Sequence, residues 1–247
     1  MDVMPKWADV VLVPLFSLIL AALLSALLIL AIGESPTEAF MLMIEGTLFR
    51  SAGWGYMLYY ATNFIFTGLA VSVAFHASLF NIGGEGQAMM GGLGVGLVCL
   101  FIPWPHWSLA IIGASMGAAI FGMIWAGLPA YLQAKRGSHI VITTIMFNFI
   151  AAGVLNFFLV GPLKPAGSMA PATANFPTAT HLPTFEDMAQ LFGIEKMFRS
   201  APANVSFFIA LLACVGVWYL IWRSPLGYEI RAFGKSGPAA RYAGVGS

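Results

Sequence analysis

Apolar runs divide the chain into segments long enough to cross a membrane as helices, which takes about 20 residues each. The predicted spans are Val10–Ile32, Trp54 to about Phe80, about Ala88 to Ile102, Ser108 to about Ala134, Ile140–Val160 and Ser206–Trp222. The first run is longer than the apolar part of a signal peptide, about 7–15 residues, so we interpret it as a retained helix. The pattern predicts an all-α, polytopic integral membrane protein with about six transmembrane helices.

Polar stretches between these runs predict short surface helices and one long loop. Ser35 and Pro36 are typical of a helix start, with serine as the N-cap and proline in the first turn. Residues 162–205 form the longest polar interval, in which residues 185–198 alternate as a short surface helix would. The polar tail, residues 223–247, fits two short helices, the second capped by Ser236 with Pro238 in its first turn.

Composition excludes a soluble globular protein. Of the 247 residues, 60% are hydrophobic and 9% charged, with a mean hydropathy of +0.87, whereas soluble proteins carry about 25% charged residues. The net charge of +1 and the absence of a basic run give no support to a nucleic-acid partner. Cys99 and Cys214 lie in apolar segments, so we predict neither a disulfide framework nor a metal site, and no cofactor.

The distribution of lysine and arginine predicts the orientation in the membrane. With six crossings, the residues on the same side as the N-terminus are Lys6, Lys135, Arg136, Arg223, Arg231, Lys235 and Arg241. The opposite side has Arg50, Lys164, Lys196 and Arg199, of which three lie in the long loop. Because cytoplasmic loops are enriched in basic residues, both termini are predicted to be cytoplasmic.

The stretch Phe80-Asn-Ile-Gly-Gly-Glu-Gly-Gln87 predicts a broken or re-entrant element near residues 80–90. Glu85 is the only charged residue between Arg50 and Lys135, and it lies either at the membrane surface or inside the bilayer for a functional reason. A dinucleotide-binding loop is excluded because Met89 replaces the third glycine of that motif. The predicted structural junction comprises Asn81, Gly83, Gly84, Glu85, Gly86 and Gln87.

Polar and small side chains within the spans have two interpretations. Asn63 and Thr67 share one helical face, and Thr144, Asn148 and Asn156 share another. Each set can bond neighbouring helices or line a solute pathway. His76 fits ordinary packing or proton relay. Two small-residue motifs predict close helix packing, namely Gly92-x-x-x-Gly96 and Gly113-x-x-x-Gly117.

Three motifs together resemble a known family. They are Phe80-Asn-Ile-Gly-Gly-Glu-Gly-Gln87, Ile142-Thr-Thr-Ile-Met-Phe-Asn148 and the tail Pro225-Leu-Gly-Tyr followed by Arg231-Ala-Phe-Gly and Ala239-Ala-Arg-Tyr-Ala-Gly244. In this order they resemble the membrane permease subunits of bacterial ABC importers, in the branch for branched-chain amino acids, ribose and other simple sugars, and nucleosides. The second motif looks most like nucleoside and simple-sugar permeases.

The resemblance implies the organisation of the chain. Residues 1–247 would be a single, incomplete transmembrane permease domain, because family members continue into further spans, which makes this a C-terminally truncated member. Residues 162–205 would form a periplasmic loop and residues 223–247 a cytoplasmic coupling region in the bacterial inner membrane. The residues implied to contact the ATPase are Ala239, Ala240, Arg241, Tyr242 and Gly244.

The resemblance also implies partners, since the sequence has no Walker A motif and the chain would be a permease rather than an enzyme. The implied partners are ABC ATPase subunits, a second permease subunit that is a copy or a relative, and a periplasmic or lipoprotein solute-binding protein. Candidates for the substrate pathway are Asn63, Thr67, Thr144 and Asn148 as hydrogen-bonding groups and Phe64, Phe66 and Phe147 as stacking groups. Glu85 is expected to hold the broken helix through backbone N–H bonds.

Two alternatives to an ABC importer remain at the level of sequence. A proton-coupled secondary transporter would use Glu85 and His76 as its relay, a known use of buried acid and imidazole groups. A membrane scaffold without transport would bind no solute, although the polar stripes disfavour it.

Overall fold

The computed structural model describes residues 8–194, 198 and 201–245. Within this part of the chain the structure is helical, and the single strand-like pairing is an isolated bridge between Thr184 and Asn204. The all-α prediction is confirmed. Lys6, Lys196 and Arg199, which were used to predict orientation, lie outside the described residues.

Ten α-helices follow one another through the described residues. They are α1 (Val13–Ile32), α2 (Pro36–Ile44), α3 (Ser51–His76), α4 (Gly84–Phe101), α5 (Trp107–Arg136), α6 (Ile140–Val160), α7 (Phe185–Leu191), α8 (Ser206–Arg223), α9 (Pro225–Lys235) and α10 (Gly237–Tyr242). A π-helical turn, Ala8–Leu12, precedes α1, another, Glu45–Phe49, joins α2 to α3, and a 3-10 turn, Thr178–Thr180, lies in the long loop.

Five described helical segments are long and apolar enough to cross a membrane: Val10–Ile32, Ser51–His76, Trp107–Arg136, Ile140–Val160 and Ser206–Arg223. The sixth predicted span corresponds to α4, which has 18 residues and is enriched in glycine. At 1.5 Å per residue α4 is about 27 Å long, slightly less than the hydrocarbon core of about 30 Å. The structure therefore supports a multi-pass membrane protein. Since α4 is as long as α8, it differs from the five segments in being less apolar rather than in being shorter.

Local capping signals in the sequence define several helix ends. The Ser35 Oγ accepts a hydrogen bond from the Glu38 N–H at 3.4 Å, which confirms the predicted start of α2. Ser236 caps α10 through the Ala239 N–H at 3.4 Å, as predicted. α5 ends at Arg136 and is followed by Gly137, whose φ of 66° lies in the left-handed region that glycine adopts without strain.

The helices pack in two groups. In the first group α4 lies against α5 and α6, around the buried residues Met90, Leu93 and Ala151. In the second group α3 packs on α8, which continues directly into α9 and α10. α3 and α4 are consecutive in the chain but barely touch. α1 buries none of its residues, as expected of a helix surrounded by lipid.

The long loop is anchored to the start of α3 and α8. Thr184 and Asp187 form a capping box at α7, and these hydrogen bonds from the backbone and the side chain of Thr184 lower the pKa of Asp187. The Phe185 N–H donates to the Ala203 carbonyl at 2.9 Å. The surface helix predicted over residues 185–198 is shorter than expected, because α7 ends at Leu191 and Gly193 adopts a positive φ of 75°.

α4 and α5 approach most closely where Gly94 meets Gly117. A Cβ on Gly94 would collide with the Gly117 carbonyl, and a Cβ on Gly117 would lie 2.8 Å from the Gly94 carbonyl oxygen. The predicted face Gly92-x-x-x-Gly96 is wrong, because a Cβ at either position meets nothing within 4 Å. The glycines of α4 offer overlapping stripes, and the one used here includes Gly94. In the second predicted motif Gly117 is at the crossing, while Gly113 packs on the Trp104 indole.

We expect Gly94→Ala to lower the free energy of unfolding by about 1–3 kcal/mol, because the added methyl group overpacks a contact between backbones. The matched control is Gly92→Ala on the same helix, which adds its methyl group to open space. Equilibrium unfolding of the purified protein in detergent measures both. Equal stability of the two variants would contradict the assigned crossing.

Candidate functional site

Residues 77–83 separate α3 from α4 and correspond to the predicted break. The chain leaves α3 through a turn at Ser78, which has a φ of 56°, a value uncommon for a residue with a side chain. The Asn81 Oδ1 then accepts the Gly83 N–H at 2.8 Å. The break is therefore an ordered turn and extended segment with its own hydrogen bonds.

Two side chains of α6 hold the backbone on both sides of the start of α4. The Asn148 Oδ1 accepts the Gly86 N–H at 2.9 Å, and the Asn148 Nδ2 donates to the Ile82 carbonyl at 3.0 Å. The Thr144 Oγ1 accepts the Ile82 N–H at 3.3 Å and donates to the Ile140 carbonyl at 2.8 Å. We call Thr144 and Asn148, with their bonds to Ile82 and Gly86, the junction clamp.

The junction clamp explains which glycines of the motif are required. A Cβ on Gly86 would lie 2.9 Å from the Asn148 Oδ1 and 3.1 Å from its Cα. A Cβ on Gly83 would lie 3.0 Å from the Asn81 Oδ1 and 3.1 Å from the Thr144 Cβ. Around Gly84, by contrast, a Cβ meets nothing within 4 Å. Glycine at positions 83 and 86 allows α6 to approach the junction closely.

The prediction that Glu85 holds the broken helix through backbone N–H bonds is wrong. Its side chain is exposed, and in the described part of the chain its carboxylate makes none of the hydrogen bonds that hold the junction. The carboxamide groups of Asn81 and Asn148 make those bonds instead. Glu85 lies in the first turn of α4, where a negative charge interacts favourably with the helix dipole.

The junction lies well along α6 rather than beside its end. Asn148 is eight residues after Ile140, the first residue of α6, which corresponds to about 12 Å of helix. On the other side, a Cβ on Gly122 of α5 would lie 3.8 Å from the Gln87 carbonyl oxygen. Gly122 is 14 residues before Arg136, where α5 ends, or about 21 Å. Both helices therefore extend past the start of α4.

The polar stripe on α6 thus faces α4. Thr144 is only 1% exposed, and Asn148 is partly buried. The Phe147 carbonyl accepts the Trp125 indole N–H at 3.2 Å, and the two rings make an edge contact with centroids 5.5 Å apart. The sequence allowed this stripe either to bond a neighbouring element or to line a solute pathway. For Thr144 and Asn148 the structure contains the hydrogen bonds to a neighbouring element. Asn156 lies exposed further along α6.

The predicted pathway residues on α3 are arranged differently. Asn63, Phe64, Phe66 and Thr67 are all exposed on this helix. The Asn63 Nδ2 bonds the Tyr59 carbonyl and the Thr67 hydroxyl bonds the Asn63 carbonyl, both within α3. Within the described residues, the predicted alternative of a hydrogen bond from Asn63 to a neighbouring helix is not found.

A groove runs along this exposed face of α3. Its volume is about 800 Å³, and its lining residues are Gly46, Thr47, Arg50, Ala52, Gly53, Tyr56, Met57, Tyr60, Ala61 and Phe64. Tyr56, Tyr60, Asn63, Phe64 and Thr67 follow helical spacing, so they occupy one side of α3. We call these five residues the α3 polar-aromatic face.

His76 belongs to a cluster at the opposite end of α3. Its Nδ1 lies 2.8 Å from the Ser72 carbonyl oxygen, and its ring stands perpendicular to that of Trp222 at 5.7 Å. The Arg231 guanidinium covers the Trp222 ring at 4.6 Å. Among the described residues no hydrogen bond joins His76 to Glu85, and no group of three His, Cys, Asp or Glu side chains could hold a metal ion.

The residues implied to contact an ATPase lie on and after α10. Ala240 is buried at 4% exposure, whereas Tyr242 is 97% exposed. Ala239 and Arg241 are also exposed, and Gly244 has a φ of 85° just after the helix. α10 therefore packs on Ala240 and presents Arg241 and Tyr242 outward.

Sequence reasoning missed two groups that organise this region. Trp125 supports Phe147 from α5, and Gly234 of α9 contacts the end of α3, where the Ser78 hydroxyl donates to the Gly234 carbonyl at 2.6 Å. The partners are 22 and 156 positions apart in the sequence. No local pattern indicates either contact.

The fold and these features define a polytopic, all-α membrane protein with a broken helix and an amphipathic tail at the end of its last spanning helix. Residues 53–246 match the family described as branched-chain amino acid transport system, permease component. The chain belongs to this family, as the three motifs predicted.

Several curated permeases resemble the chain. It is 29% identical to the glucose ABC transporter permease protein of Haloferax volcanii over 94% of this chain and 60% of that protein. It is 31% identical to the guanosine ABC transporter permease protein of Bacillus subtilis, over 98% and 66% respectively. For the nucleoside ABC transporter permease protein NupB of Lactococcus lactis the identity is 28%, over 95% and 64%. The chain thus spans about two thirds of these relatives or less. No solved structure matches it significantly.

We expect Asn148→Ala to lower the free energy of unfolding by about 1–3 kcal/mol, since it leaves the Gly86 N–H and the Ile82 carbonyl without partners. The control is Asn156→Ala on the same helix, which removes an exposed carboxamide and should change stability by no more than about 0.5 kcal/mol. Equilibrium unfolding in detergent compares them. A loss as large for Asn156→Ala would contradict the junction clamp.

Proposed function

We propose that this chain forms part of the transmembrane pathway of an ATP-driven importer for nucleosides or simple sugars in the bacterial inner membrane. Family membership supports the transport class, and the names of the similar permeases support these two kinds of solute. The observation that most strongly supports the proposal is the α3 polar-aromatic face. It is exposed and uncharged, and among the described residues Asn63 and Thr67 form hydrogen bonds only within α3.

The chemistry of this face suits an uncharged solute with hydroxyl groups or a base. Binding sites for small molecules combine apolar and aromatic walls with a few placed polar groups. Asn63 and Thr67 supply amide and hydroxyl groups, while Phe64, beside Tyr60, supplies an aromatic surface. Phe66 is exposed on the same helix. We assign Asn63, Phe64 and Thr67 to solute contact.

We assign the candidate residues of α6 to structural support of the pathway rather than to solute contact. Thr144 and Asn148 hold the junction, and the Phe147 carbonyl and ring are occupied by Trp125. The junction residues Asn81, Gly83 and Gly86 complete the arrangement, while Gly84, Glu85 and Gln87 form the first turn of α4. Since the junction lies about 12 Å along α6, we place it inside the bilayer. There, backbone groups without partners are costly.

The ATPase would act on the permease through α10. Arg241 and Tyr242 are exposed at the chain's C-terminal side, where they are available to a separate ATPase subunit. A solute-binding protein would deliver solute to the opposite side, where the loop 162–205 packs at the start of α3. A second permease subunit, a copy of this chain or a relative, would close the pathway. Nucleotide binding then alternates access to the two sides.

The geometry disfavours the proton-coupled alternative. His76 bonds its own helix and contacts Trp222, and Glu85 is exposed and separate from it. A relay needs its groups to be linked, and no direct hydrogen bond joins His76 and Glu85 among the described residues. A scaffold without transport is disfavoured by the unused polar groups of α3.

We expect the complete permease, reconstituted with its ATPase and solute-binding protein, to accumulate guanosine or glucose in proteoliposomes only when ATP is supplied. Glu85→Gln should retain this uptake, because the carboxylate makes no hydrogen bond in the described part of the chain. Uptake driven by a pH gradient without ATP and abolished by Glu85→Gln would overturn the ABC importer. Uptake restricted to branched-chain amino acids would overturn the substrate class.

We expect Phe64→Leu to raise the KM for uptake about tenfold, since stacking on a base contributes about 1–3 kcal/mol and tenfold corresponds to about 1.4 kcal/mol. Asn63→Ala should raise the KM by up to about tenfold, since a hydrogen bond contributes about 0.5–1.5 kcal/mol. The control for the aromatic change is Phe16→Leu on α1, an equally exposed phenylalanine facing lipid. Initial uptake rates against solute concentration measure the effect. An unchanged KM in both α3 variants would exclude this face as the pathway.

A further inference from the structure

The end of α3 is fastened to α9. The Ser78 hydroxyl donates to the Gly234 carbonyl at 2.6 Å, although the two residues are 156 positions apart. Gly234 lies so close to α3 that an added Cβ would collide with the His76 carbonyl and lie 3.0 Å from the Ala77 carbonyl carbon. Only glycine permits this approach of one backbone to the other.

A second contact reinforces the first. The Trp222 ring lies between the His76 ring at 5.7 Å and the Arg231 guanidinium at 4.6 Å. The Arg231 Nε also donates to the Gly227 carbonyl at 3.3 Å, and Gly227 packs directly on the backbone of α8 at Leu220 and Ile221. Side chains from α3, α8 and α9 thus form one contact cluster, which fixes the angle between α8 and α9.

The start of α4 is fastened to a different part of the molecule. Ile82 and Gly86 bond Thr144 and Asn148 of α6, and α4 crosses α5 at Gly94 and Gly117. Along the chain, the last attachment to α9 is at Ser78 and the first attachment to α6 is at Ile82. The Leu79 N–H still bonds the Ala74 carbonyl of α3 at 3.0 Å, and the Phe80 ring contacts the Phe75 ring. The backbone of residues 80–81 is therefore the link between the two helix groups.

Resting on the proposed function, we infer that α3, α8 and α9 move as one body, through which force applied to the tail reaches the α3 polar-aromatic face. α4, α5 and α6 form the second body, and the backbone of residues 80–81 is the hinge between the two bodies. His76, Ser78, Trp222, Arg231 and Gly234 are positioning residues in this device. They transmit movement of α10 to α3 without touching solute.

The charge and shape of the contacts support transmission rather than simple packing. A guanidinium over an indole resists sliding because its attraction depends on the cation lying over the ring face. Helices packed backbone to backbone at a glycine leave no flexible side chain between them to absorb a shift. α3 and α4, in contrast, barely touch, so α3 can move without disturbing the junction clamp.

Distances between spin labels test the two bodies in the complete transport complex. Labels are introduced as cysteines at Val71 of α3, Glu229 of α9 and Ile142 of α6, which are exposed, after replacement of Cys99 and Cys214. On adding a non-hydrolysable ATP analogue, we expect the 71–229 distance to stay within about 1 Å. The 142–229 distance should change by more than about 2 Å, beyond ordinary small helix shifts. Equal changes in both distances, or no change in the second, would overturn the inference.

Coupling provides the second test. We expect Gly234→Ala to lower solute uptake per ATP hydrolysed at least about fivefold, the lower end of typical coupling between sites. The control is Gly216→Ala on α8, where a Cβ meets nothing within 4 Å, and it should retain wild-type coupling. Wild-type coupling in Gly234→Ala would overturn the inference. If that variant fails to fold, the label distances in the unmodified Gly234 background decide the question.

Failure of the proposed function gives a different result. Absence of ATP-driven uptake by the wild-type complex would overturn the importer itself before any variant is compared. Normal wild-type uptake combined with unchanged coupling in Gly234→Ala would overturn only the transmission through α9.

Discussion

A helix that breaks within an apolar environment must find partners for its free backbone groups. In a bilayer such groups have no water to bond, so irregular backbone persists only where protein satisfies it. Here one carboxamide on α6 satisfies an N–H and a carbonyl on either side of the start of α4, and one hydroxyl satisfies a further N–H. The position of α4, and with it the core formed with α5 and α6, depends on this junction clamp.

The clamp also separates two kinds of polar residue that look alike in the sequence. Asn148 and Asn63 are both asparagines within apolar helices, each four residues from a threonine. Asn148 bonds the backbone of another element, whereas Asn63 bonds only its own helix. An amide is structural when its side of the helix packs on another element, and it is available to a solute when that side is exposed. Sequence periodicity shows which residues share a side of the helix, but it does not show what that side contacts.

Local information in the sequence was sufficient for the spans, the caps at Ser35 and Ser236, and the break near residue 80. Each depends on residues within one or two turns of one another. The glycine register of α4 was not predictable, because Gly92 and Gly94 begin alternative stripes and only the partner helix selects one. The hydrogen bond between Ser78 and Gly234 was also not predictable, because it joins segments that are distant in the chain.

Glycine allows close attachment of helices on both sides of the break. At Gly86 and Gly94 it brings α4 against α6 and α5, which fixes the position of α4. At Gly234 it brings α9 against the end of α3. Because both attachments are close and only the backbone of residues 80–81 lies between them, each attachment holds its own helix group on one side of a short link. A protein with two rigid groups and one hinge has few ways to move, which favours a change between two defined arrangements over a general loosening.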